Sequence, residues 1–326
     1  MQEKLYAALD LGGTKIYAVL AENSGRILSS IRYDTLVDKG PEAILEQMAI
    51  SVRELLSQAG AGTNRLSAVG ICLAGFFDWQ RRLLIHSPNI PGLDQIRVEE
   101  RLSRKLLVPV LAENDANAAA FGEARRGAAS GSQDVLYITV STGIGAGLVL
   151  GGQIYRGSRG FAGEVGHMVV KPDGILCGCG RYGCLETVAS GTAIARAANE
   201  ALQNRKATLL RELAREQGGR VNTATVFSAA RAGDEAALEI ISEAVYYLGI
   251  ALVNLVNMLN PEVVVIGGGV SAAGEELFVP LKKAIRNYAI PPAAASVTLK
   301  QATLGVEAGV TGMLCLLTEA ESIKEG

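Results

Sequence analysis

The sequence has few histidines, few cysteines and no excess of one charge. Its 326 residues include 2 histidines and 5 cysteines, and 31 basic residues nearly balance 33 acidic ones, for a net charge of −2. A balanced chain offers no long-range field for a phosphate backbone or an anionic membrane. We therefore expect neither a nucleic-acid partner nor a membrane partner.

Long uninterrupted apolar runs are also missing. The nearest approach is the stretch 245–260, in which Asn254 and Asn257 interrupt the apolar residues before Pro261. Such a broken run predicts a buried helix rather than a membrane span. Residues 1–9 lack the basic start and long apolar core of a signal peptide. The expectation is a cytoplasmic protein.

The apolar segments that are present form a repeated pattern. A strand is predicted at 5–9 and is followed by Gly12-Gly13; a second strand at 135–140 is followed by a glycine turn at 142–145. The two segments fall in register, and each opens a glycine-turned hairpin. With a length that favours two domains, this duplication predicts two related α/β domains facing each other across a cleft. Further predicted elements are a helix from Pro41, a strand at 66–73, a strand at 262–266 and a helix at 275–288.

The first glycine turn, Asp10-Leu11-Gly12-Gly13-Thr14-Lys15, places a carboxylate at a strand end before two glycines and a hydroxyl. Glycines let backbone N–H groups approach phosphate oxygens, and a nearby carboxylate can hold the water shell of Mg²⁺. The alternative is an ordinary hairpin turn. The chain contains no Walker-type phosphate loop, so it is not a P-loop enzyme.

The second glycine turn, at 141–147, supplies small residues and hydroxyls that could hold another phosphate. A dinucleotide-binding fingerprint needs a helix directly after its glycines, whereas here a strand is predicted. The pattern therefore argues against a nicotinamide-dependent enzyme.

An acidic segment, Glu113-Asn114-Asp115-Ala116-Asn117, follows an apolar strand at 108–111. A carboxylate at a strand end suits a general base for an alcohol. Asn and Asp are also favoured helix N-caps. Both interpretations can hold together, with either Asn114 or Asp115 capping the helix and the other facing a substrate.

The most specific local pattern is His167-x₉-Cys177-x-Cys179-x₄-Cys184. Three thiolates and one imidazole form the closed tetrahedral set of a structural zinc site, and clustered cysteines outside secreted proteins indicate metal more often than disulfides. The remaining histidine, His86, is interpreted as a polar residue near the site or a satisfied core histidine. The alternative for the cysteines is a loop of reduced thiols.

These motifs resemble those of the ROK family of sugar kinases and repressors, within the actin-like ATPase superfamily. The resemblance runs in order over essentially the whole chain. Its segments are the first phosphate loop at 10–15, the catalytic segment at 113–119, the second phosphate loop at 142–147, the signature at 163–167 and the zinc loop at 177–186.

The resemblance implies a role for each matching residue. Asp115 would be the base that accepts the proton of the sugar hydroxyl, and His167 would bind both sugar and zinc. The implied sugar-binding residues are Gly75, Asn89, Asn114, Asp115, Glu164, His167 and Glu186. The implied residues for ATP and Mg²⁺ are Asp10, Gly12, Gly13, Thr14, Lys15, Thr142, Gly143, Gly268 and Gly269. The implied zinc ligands are His167, Cys177, Cys179 and Cys184.

The implied fold is α/β, with two actin-like (ribonuclease H-like) domains whose mixed sheets are flanked by helices, and a cleft between them. The expected limits are a small domain at 1–116, joined by a C-terminal helix at about 305–326, and a large domain at 117–304 that carries the zinc loop at 167–186. The resemblance also implies a homodimer or homotetramer.

The implied activity is ATP-dependent phosphorylation of a hexose, with the 6-hydroxyl of glucose as the favoured acceptor. N-acetylmannosamine, N-acetylglucosamine, fructose and allose kinases share these motifs. The family usually has proline where this chain has Ala74. The bulky residues Phe76 and Phe77 that follow bear on which sugar is the substrate. A sugar-responsive repressor is disfavoured, because the 9 residues before Asp10 leave no room for a DNA-binding domain. A zinc-loop interaction module would leave the phosphate turns and Asp115 unexplained.

Overall fold

The computed structural model describes residues 4–203, 209–216 and 218–325. The strands found there are β1 (Leu5–Leu11), β2 (Lys15–Glu22), β3 (Ile27–Asp34), β4 (Leu66–Leu73), β5 (Phe76–Asp78), β6 (Leu83–His86), β7 (Val110–Asn114), β8 (Val135–Val140), β9 (Ile144–Leu150), β10 (Gln153–Ile154), β11 (Val263–Gly267) and β12 (Thr298–Gln301).

The α-helices are α1 (Pro41–Gln58), α2 (Val98–Leu106), α3 (Asp115–Arg126), α4 (Glu186–Ala189), α5 (Gly191–Gln203), α6 (Leu209–Glu216), α7 (Thr223–Arg231), α8 (Glu235–Leu259), α9 (Glu275–Tyr288), α10 (Pro291–Ser296) and α11 (Ala308–Glu325). Short 3-10 helices also occur at Val37–Lys39, Thr63–Arg65, Val165–His167, Gly269–Ala273 and Gly305–Glu307.

Two five-stranded sheets repeat one topology. Their strand orders are β3-β2-β1-β4-β7 and β10-β9-β8-β11-β12. In each sheet, three consecutive strands lie to one side, and two strands that pair in parallel lie to the other. The duplication predicted from the two glycine-turned hairpins is thereby confirmed, because β1 and β8 take the same central place.

The chain divides into two compact units. Unit 1 comprises Met1–Gln133, Gly147–Gly163 and Leu304–Gly326, and unit 2 comprises Asp134–Ala146 and Glu164–Thr303. Helix α3 therefore belongs to unit 1, as does α11. The domain limits expected from the sequence stay a prediction.

The central strand of unit 1 is buried on both faces. Leu5, Ala7 and Leu9 pack in one apolar cluster with residues of α1, whereas Tyr6 and Ala8 pack in another with residues of α11. Successive side chains of a strand point to opposite faces, so a continuous apolar run suits a sheet covered by helices on both sides. This packing fixes the end of β1, where Asp10 lies.

One local prediction was wrong, and one hairpin was not predicted. Strand β9 begins at Ile144, so the second glycine turn ends earlier than the predicted 142–145, and Gly145 and Gly147 lie within the strand. The hairpin of β5 and β6 was not predicted, because each of its strands is too short to show a clear alternation.

Helix α8 contains the apolar stretch that the sequence singled out. By length and composition it could cross a membrane, but 50% of its most apolar window is buried inside the protein. Leu248, Leu252 and Val256 are buried, whereas Tyr246 and Met258 are exposed. The expected helix is confirmed, with one face in the core, and a core helix of this kind is enough to explain its hydropathy.

Candidate active site

The first glycine turn joins β1 to β2 in an antiparallel hairpin. The Gly12 N–H donates to the carbonyl of Lys15 at 3.0 Å, which closes the turn. A Cβ on Gly13 would lie 2.6 Å from the carbonyl oxygen of Asn89, so only glycine allows this approach. The turn is therefore the ordinary hairpin that the sequence left open, and it also brings the predicted phosphate loop against the predicted sugar-binding Asn89. Thr14 and Lys15 are exposed at this turn.

The acidic segment lies where β7 meets α3. The Asn114 side chain accepts from the N–H groups of Ala116 and Asn117, at 2.9 and 3.1 Å, and so caps the helix. Its Nδ2 donates to the carbonyl of Gly75 at 3.4 Å, which brings two predicted sugar-binding residues together. The alternatives left open by the sequence are resolved in part: Asn114 is the cap, and Asp115 is the first residue of the helix.

Two carboxylates of the predicted site, those of Asp10 and Asp115, have a raised pKa. Burial, and secondly the charge of Asp115, raises the pKa of Asp10 from 3.8 to about 6. Burial also raises the pKa of Asp115, although N–H groups at the start of α3 lower it. A carboxylate with a raised pKa is a stronger base, and one that lies in the field of another negative charge gains from a bound cation. Asp115 thus suits proton abstraction, and Asp10 suits a site for Mg²⁺.

Two residues outside the predicted set form an ion pair at the start of the acidic segment. Glu113 is buried, and Arg156 lies with both Nε and Nη2 at 2.7 Å from its Oε2. Glu113 stood in the quoted motif without a role, and Arg156 was missed. The two are separated by 43 positions in the sequence, and no local pattern relates them.

In unit 2, the second glycine turn holds a predicted sugar-binding residue. The Ile144 N–H donates to Oε2 of Glu186 at 2.8 Å. A Cβ on Gly143 would lie 2.4 Å from the same oxygen, so a glycine is needed for this contact. Thr142 and Gly143 therefore lie beside Glu186, a predicted sugar-binding residue, although the family resemblance implies that they bind the nucleotide.

A second turn lies next to this one in the sheet of unit 2. Strand β11 pairs in parallel with β8, with Gly267 opposite Thr139. Because both strands end at the same edge, Gly268 and Gly269 follow at the same end of the sheet as Thr142 and Gly143. This placement suits the expected contact with adenosine, which stays a prediction.

The Cys/His residues form one cluster in unit 2. One ligand atom from each of His167, Cys177, Cys179 and Cys184 lies within 4.8 Å of the others. Nδ1 of His167 is 3.7 Å from Sγ of Cys177, and Sγ of Cys179 is 3.6 Å from Sγ of Cys184. Bonds of about 2.3 Å to sulfur and about 2.1 Å to nitrogen in a tetrahedron require separations of this size. The donor set can therefore hold a metal ion.

The other ring nitrogen of His167 points toward a predicted sugar-binding residue. Nε2 of His167 lies 3.9 Å from Oε2 of Glu164, which precedes the 3-10 helix Val165–His167. A Cβ on Gly166 in that helix would lie 2.1 Å from the carbonyl of Ile144, whose N–H holds Glu186. Unit 2 thus brings Glu164, His167 and Glu186 into one neighbourhood. His86, by contrast, is an exposed residue of unit 1 whose Nδ1 lies 2.8 Å from Oδ1 of Asp94.

Known proteins match the chain over its length. The ROK family model matches residues 6–320. The chain is 39% identical to the glucokinase of Halalkalibacterium halodurans over 326 residues, which cover 100% of this chain and 98% of that protein.

Two solved structures are similar in both sequence and fold. The ROK hexokinase of Thermus thermophilus is 39% identical with a TM-score of 0.83, covering 99% of this chain and 100% of that one. A ROK family glucokinase from Streptomyces griseus, in complex with glucose and AMPPNP, is 35% identical with a TM-score of 0.79, covering 96% and 98%. The expected actin-like two-domain α/β fold is confirmed.

The fold, with predicted site residues in both units, thus defines a protein of the actin-like class. The chain belongs to the ROK family.

Proposed function

We propose that the protein is an ATP-dependent glucokinase that phosphorylates the 6-hydroxyl of glucose. The observation that carries the proposal is the half-buried carboxylate of Asp115 at the start of α3, with a raised pKa and with Asn114 beside it. The glucokinase relative at 39% identity and the glucose and AMPPNP complex of a relative at 35% identity support the substrate pair.

Asp115 accepts the proton of the acceptor hydroxyl as that oxygen attacks the γ-phosphorus of ATP, and the bond from this phosphorus to the bridging oxygen breaks to release ADP. Phosphoryl transfer depends mainly on position and charge stabilisation, so one placed carboxylate is sufficient protein chemistry. Asn114, Glu164, His167 and Glu186, with Gly75 and Asn89, hydrogen-bond the sugar and hold its hydroxyl in line. Carboxylates suit this task because each oxygen accepts hydroxyl bonds in a fixed geometry.

The phosphates of ATP bind the glycine turns. Backbone N–H groups around Gly12, Gly13, Thr142 and Gly143 approach the phosphate oxygens, with Thr14 and Lys15 beside the first turn and Gly268 and Gly269 against the adenosine. Mg²⁺ near Asp10 would neutralise the charge of the triphosphate. The pKa of Asp10, raised to about 6 by burial and by Asp115, fits a place for a cation.

Zinc is the metal that suits the Cys/His cluster. The set of three cysteines and one histidine leaves no position for a substrate, so the role is structural. By fixing His167, the ion would orient the ring nitrogen that faces the sugar.

A coupled assay of ADP formation tests the proposal. We expect ATP consumption that depends on glucose and yields glucose 6-phosphate, identified by NMR of the product. Acceptors to be compared are mannose, fructose, allose, N-acetylmannosamine and N-acetylglucosamine. A larger kcat/KM for any of them would reassign the substrate, and no acceptor-dependent ADP at all would refute the kinase. ADP and polyphosphate serve as alternative donors.

The assembly and location follow from the same proposal. Exposed apolar side chains on α8 and α9, including Tyr246, Met258 and Tyr288, support a homodimer or homotetramer. A monomeric mass in light scattering would contradict it. The enzyme would be cytoplasmic, where its ATP is available, and cell fractionation tests this.

A further inference from the structure

One buried carboxylate connects the residues on either side of Asp115. Oε1 of Glu113 accepts from the N–H of Asn114 at 3.1 Å and from Nδ2 of Asn117 at 3.0 Å. Its other oxygen, Oε2, lies 2.7 Å from Nε of Arg156. The end of β7 and the first turn of α3 are therefore joined through the side chain of Glu113.

The guanidinium of Arg156 is itself held in place. It lies over the ring of Trp79, 4.7 Å from the centroid. A second guanidinium, that of Arg82, lies 5.2 Å from the same centroid. The backbone N–H of Trp79 donates to the carbonyl of Arg159 at 3.0 Å, so the loop that carries Arg156 is also bonded to the backbone of Trp79.

The second arginine leads back to the same strand. Arg82 bonds Glu99 in a fork, with Nε and Nη2 at 2.7 and 2.6 Å from the two carboxylate oxygens. Glu99 in turn accepts from the N–H of Ala112 at 2.6 Å. Consecutive residues of β7, Ala112 and Glu113, are therefore fixed by two arginines that share one indole ring.

We propose that Arg156, through Glu113, is a positioning residue for Asp115. The inference rests on the proposed role of Asp115 as the base. Arg156 does not act on the reacting atoms; it fixes the carboxylate that holds Asn114 and Asn117, and thereby the backbone from which Asp115 projects. Displacing a catalytic group by about 1 Å can lower the rate about 100-fold, so a rigid support has kinetic value.

Stability alone is a poor reason for this pair. Taking two charges out of water costs about as much free energy as their attraction returns, so a buried ion pair is weak evidence for stabilisation. The side chain of Glu113 is 3% exposed and that of Arg156 is 21% exposed. A pair with so little exposure, close to the residue proposed as the base, is better explained by the need to hold Asp115 in position.

The chain offers a matched control at the other end of α3. Arg125 lies 4.2 Å over the ring of Phe121 and bonds Glu319 with its Nε at 2.6 Å from Oε1. Its side chain is 23% exposed, close to the value for Arg156. It therefore combines the same two interactions, stacking and ion pairing, but ten positions along the helix from Asp115.

The experiment compares Arg156→Met, Arg156→Lys and Arg125→Met. We expect Arg156→Met to lower kcat by about 100-fold while the glucose Kd changes by less than about 3-fold. Arg156→Lys is expected to recover part of this loss, because it restores the charge without the planar fork. Arg125→Met should lower Tm but leave kcat within about 3-fold, since it removes no contact of the acidic segment.

Trp79 provides a direct readout, because it is the only tryptophan of the chain. Its emission should change in Arg156→Met and stay unchanged in Arg125→Met. The proposal is overturned if Arg156→Met alters the emission but keeps kcat within about 3-fold of the wild type, a change too small for a displaced base.

Glu113→Gln keeps the test decisive if Arg156→Met does not fold. Glutamine retains the shape and one acceptor oxygen but loses the charge, so kcat should fall about 10-fold at unchanged glucose Kd. Unchanged kcat in this variant would also overturn the proposal. Asp115→Asn separates the two claims: if it is inactive while Arg156→Met and Glu113→Gln are active, the base stands and only the positioning role fails.

Discussion

The two units share one sheet topology but hold their proposed functional residues by different means. In unit 1, Asp115 lies at a helix start that is fixed by a cap and by the buried pair of Glu113 and Arg156. In unit 2, Glu186 is held by a backbone N–H, and His167 lies in a cluster of three thiols. The repeated sheet supplies two equivalent glycine turns, and the units differ in the side chains that surround each turn.

The ends of the two central strands show the same divergence. The penultimate residue of β1 is a carboxylate, Asp10, and the residue that aligns with it in unit 2 when Gly12 is matched to Gly143 is Ser141. A carboxylate suits a cation, whereas a hydroxyl and N–H groups suit an anion. We infer that duplication fixed the positions of both turns, and that later substitution divided the tasks.

A large effect is expected from breaking the cluster of unit 2. Cys184→Ser removes one of four ligand atoms, so the metal should be lost and His167 released. We expect kcat/KM for glucose to fall by more than about 100-fold, which is the upper range for changes one shell further from a metal. Metal content by elemental analysis should fall in parallel. Cys315→Ser, a buried thiol outside the cluster, should keep both metal and activity.

A smaller effect is expected from filling the space beside Glu186. In Gly143→Ala the new Cβ would lie 2.4 Å from Oε2 of Glu186, and that flexible side chain must move. The glucose KM should rise about 10-fold with little change in Tm, since a sugar hydroxyl loses a charged acceptor. Glu186→Gln measured alone and with Gly143→Ala should give losses that do not add. Additive losses would show that the turn acts independently of Glu186.

Several elements of both units could be predicted from the sequence, because each is marked by a pattern of neighbouring residues. Strand β4, strand β8 and helix α9 were predicted within their observed limits, because uniform apolar runs and helical spacing mark them. The Cys/His cluster was predicted because all its ligands lie within one short segment. Helix α2 was missed, because its short sequence is mostly charged.

The support of Asp115 was not accessible from the sequence. Arg156 and Glu113 are 43 residues apart, and Trp79 precedes both of them in the chain. An ion pair of this kind has no periodicity and no spacing rule, so only the packed structure reveals it. The choice between Asn114 and Asp115 as helix cap likewise required observed hydrogen bonds.

Asp10 offers a test of stability with a defined dependence on pH. Because burial and Asp115 raise its pKa from 3.8 to about 6, the folded state binds this proton more tightly than the unfolded chain does. Its contribution to stability is fully present below pH 3.8 and is lost as the pH rises through 6. Asp10→Asn should therefore raise the free energy of unfolding at pH 8 by about 2–3 kcal/mol.

The pH series supplies the control for this variant. Near pH 4 the wild type and Asp10→Asn should unfold with similar free energies, because Asp10 is then neutral in the folded protein. Denaturation should be followed without nucleotide or Mg²⁺. A destabilised variant at pH 8 would show that the charged form of Asp10 is favoured by the fold, contrary to our account.

The smallest effect concerns equivalent tyrosines of the two units. The Tyr6 hydroxyl is buried without a hydrogen-bond partner among the residues described, whereas the hydroxyl of Tyr137 packs against Gly267. A buried unpaired hydroxyl costs free energy, so Tyr6→Phe should be neutral or stabilising by up to about 1 kcal/mol. Tyr137→Phe should instead lose stability, because it leaves a gap where the hydroxyl packs beside Gly267. Equal effects in urea denaturation would remove this difference between the units.

The role of Asp115 as the base is tested with Asp115→Asn, through paired measurements of turnover and glucose binding. Asparagine keeps the size and the polar contacts but cannot accept the proton, so kcat should fall by about 100-fold to 10,000-fold. Glucose should still bind by calorimetry with a Kd within about 3-fold of the wild type, because the remaining sugar contacts are kept. A variant that retains wild-type kcat would contradict the account.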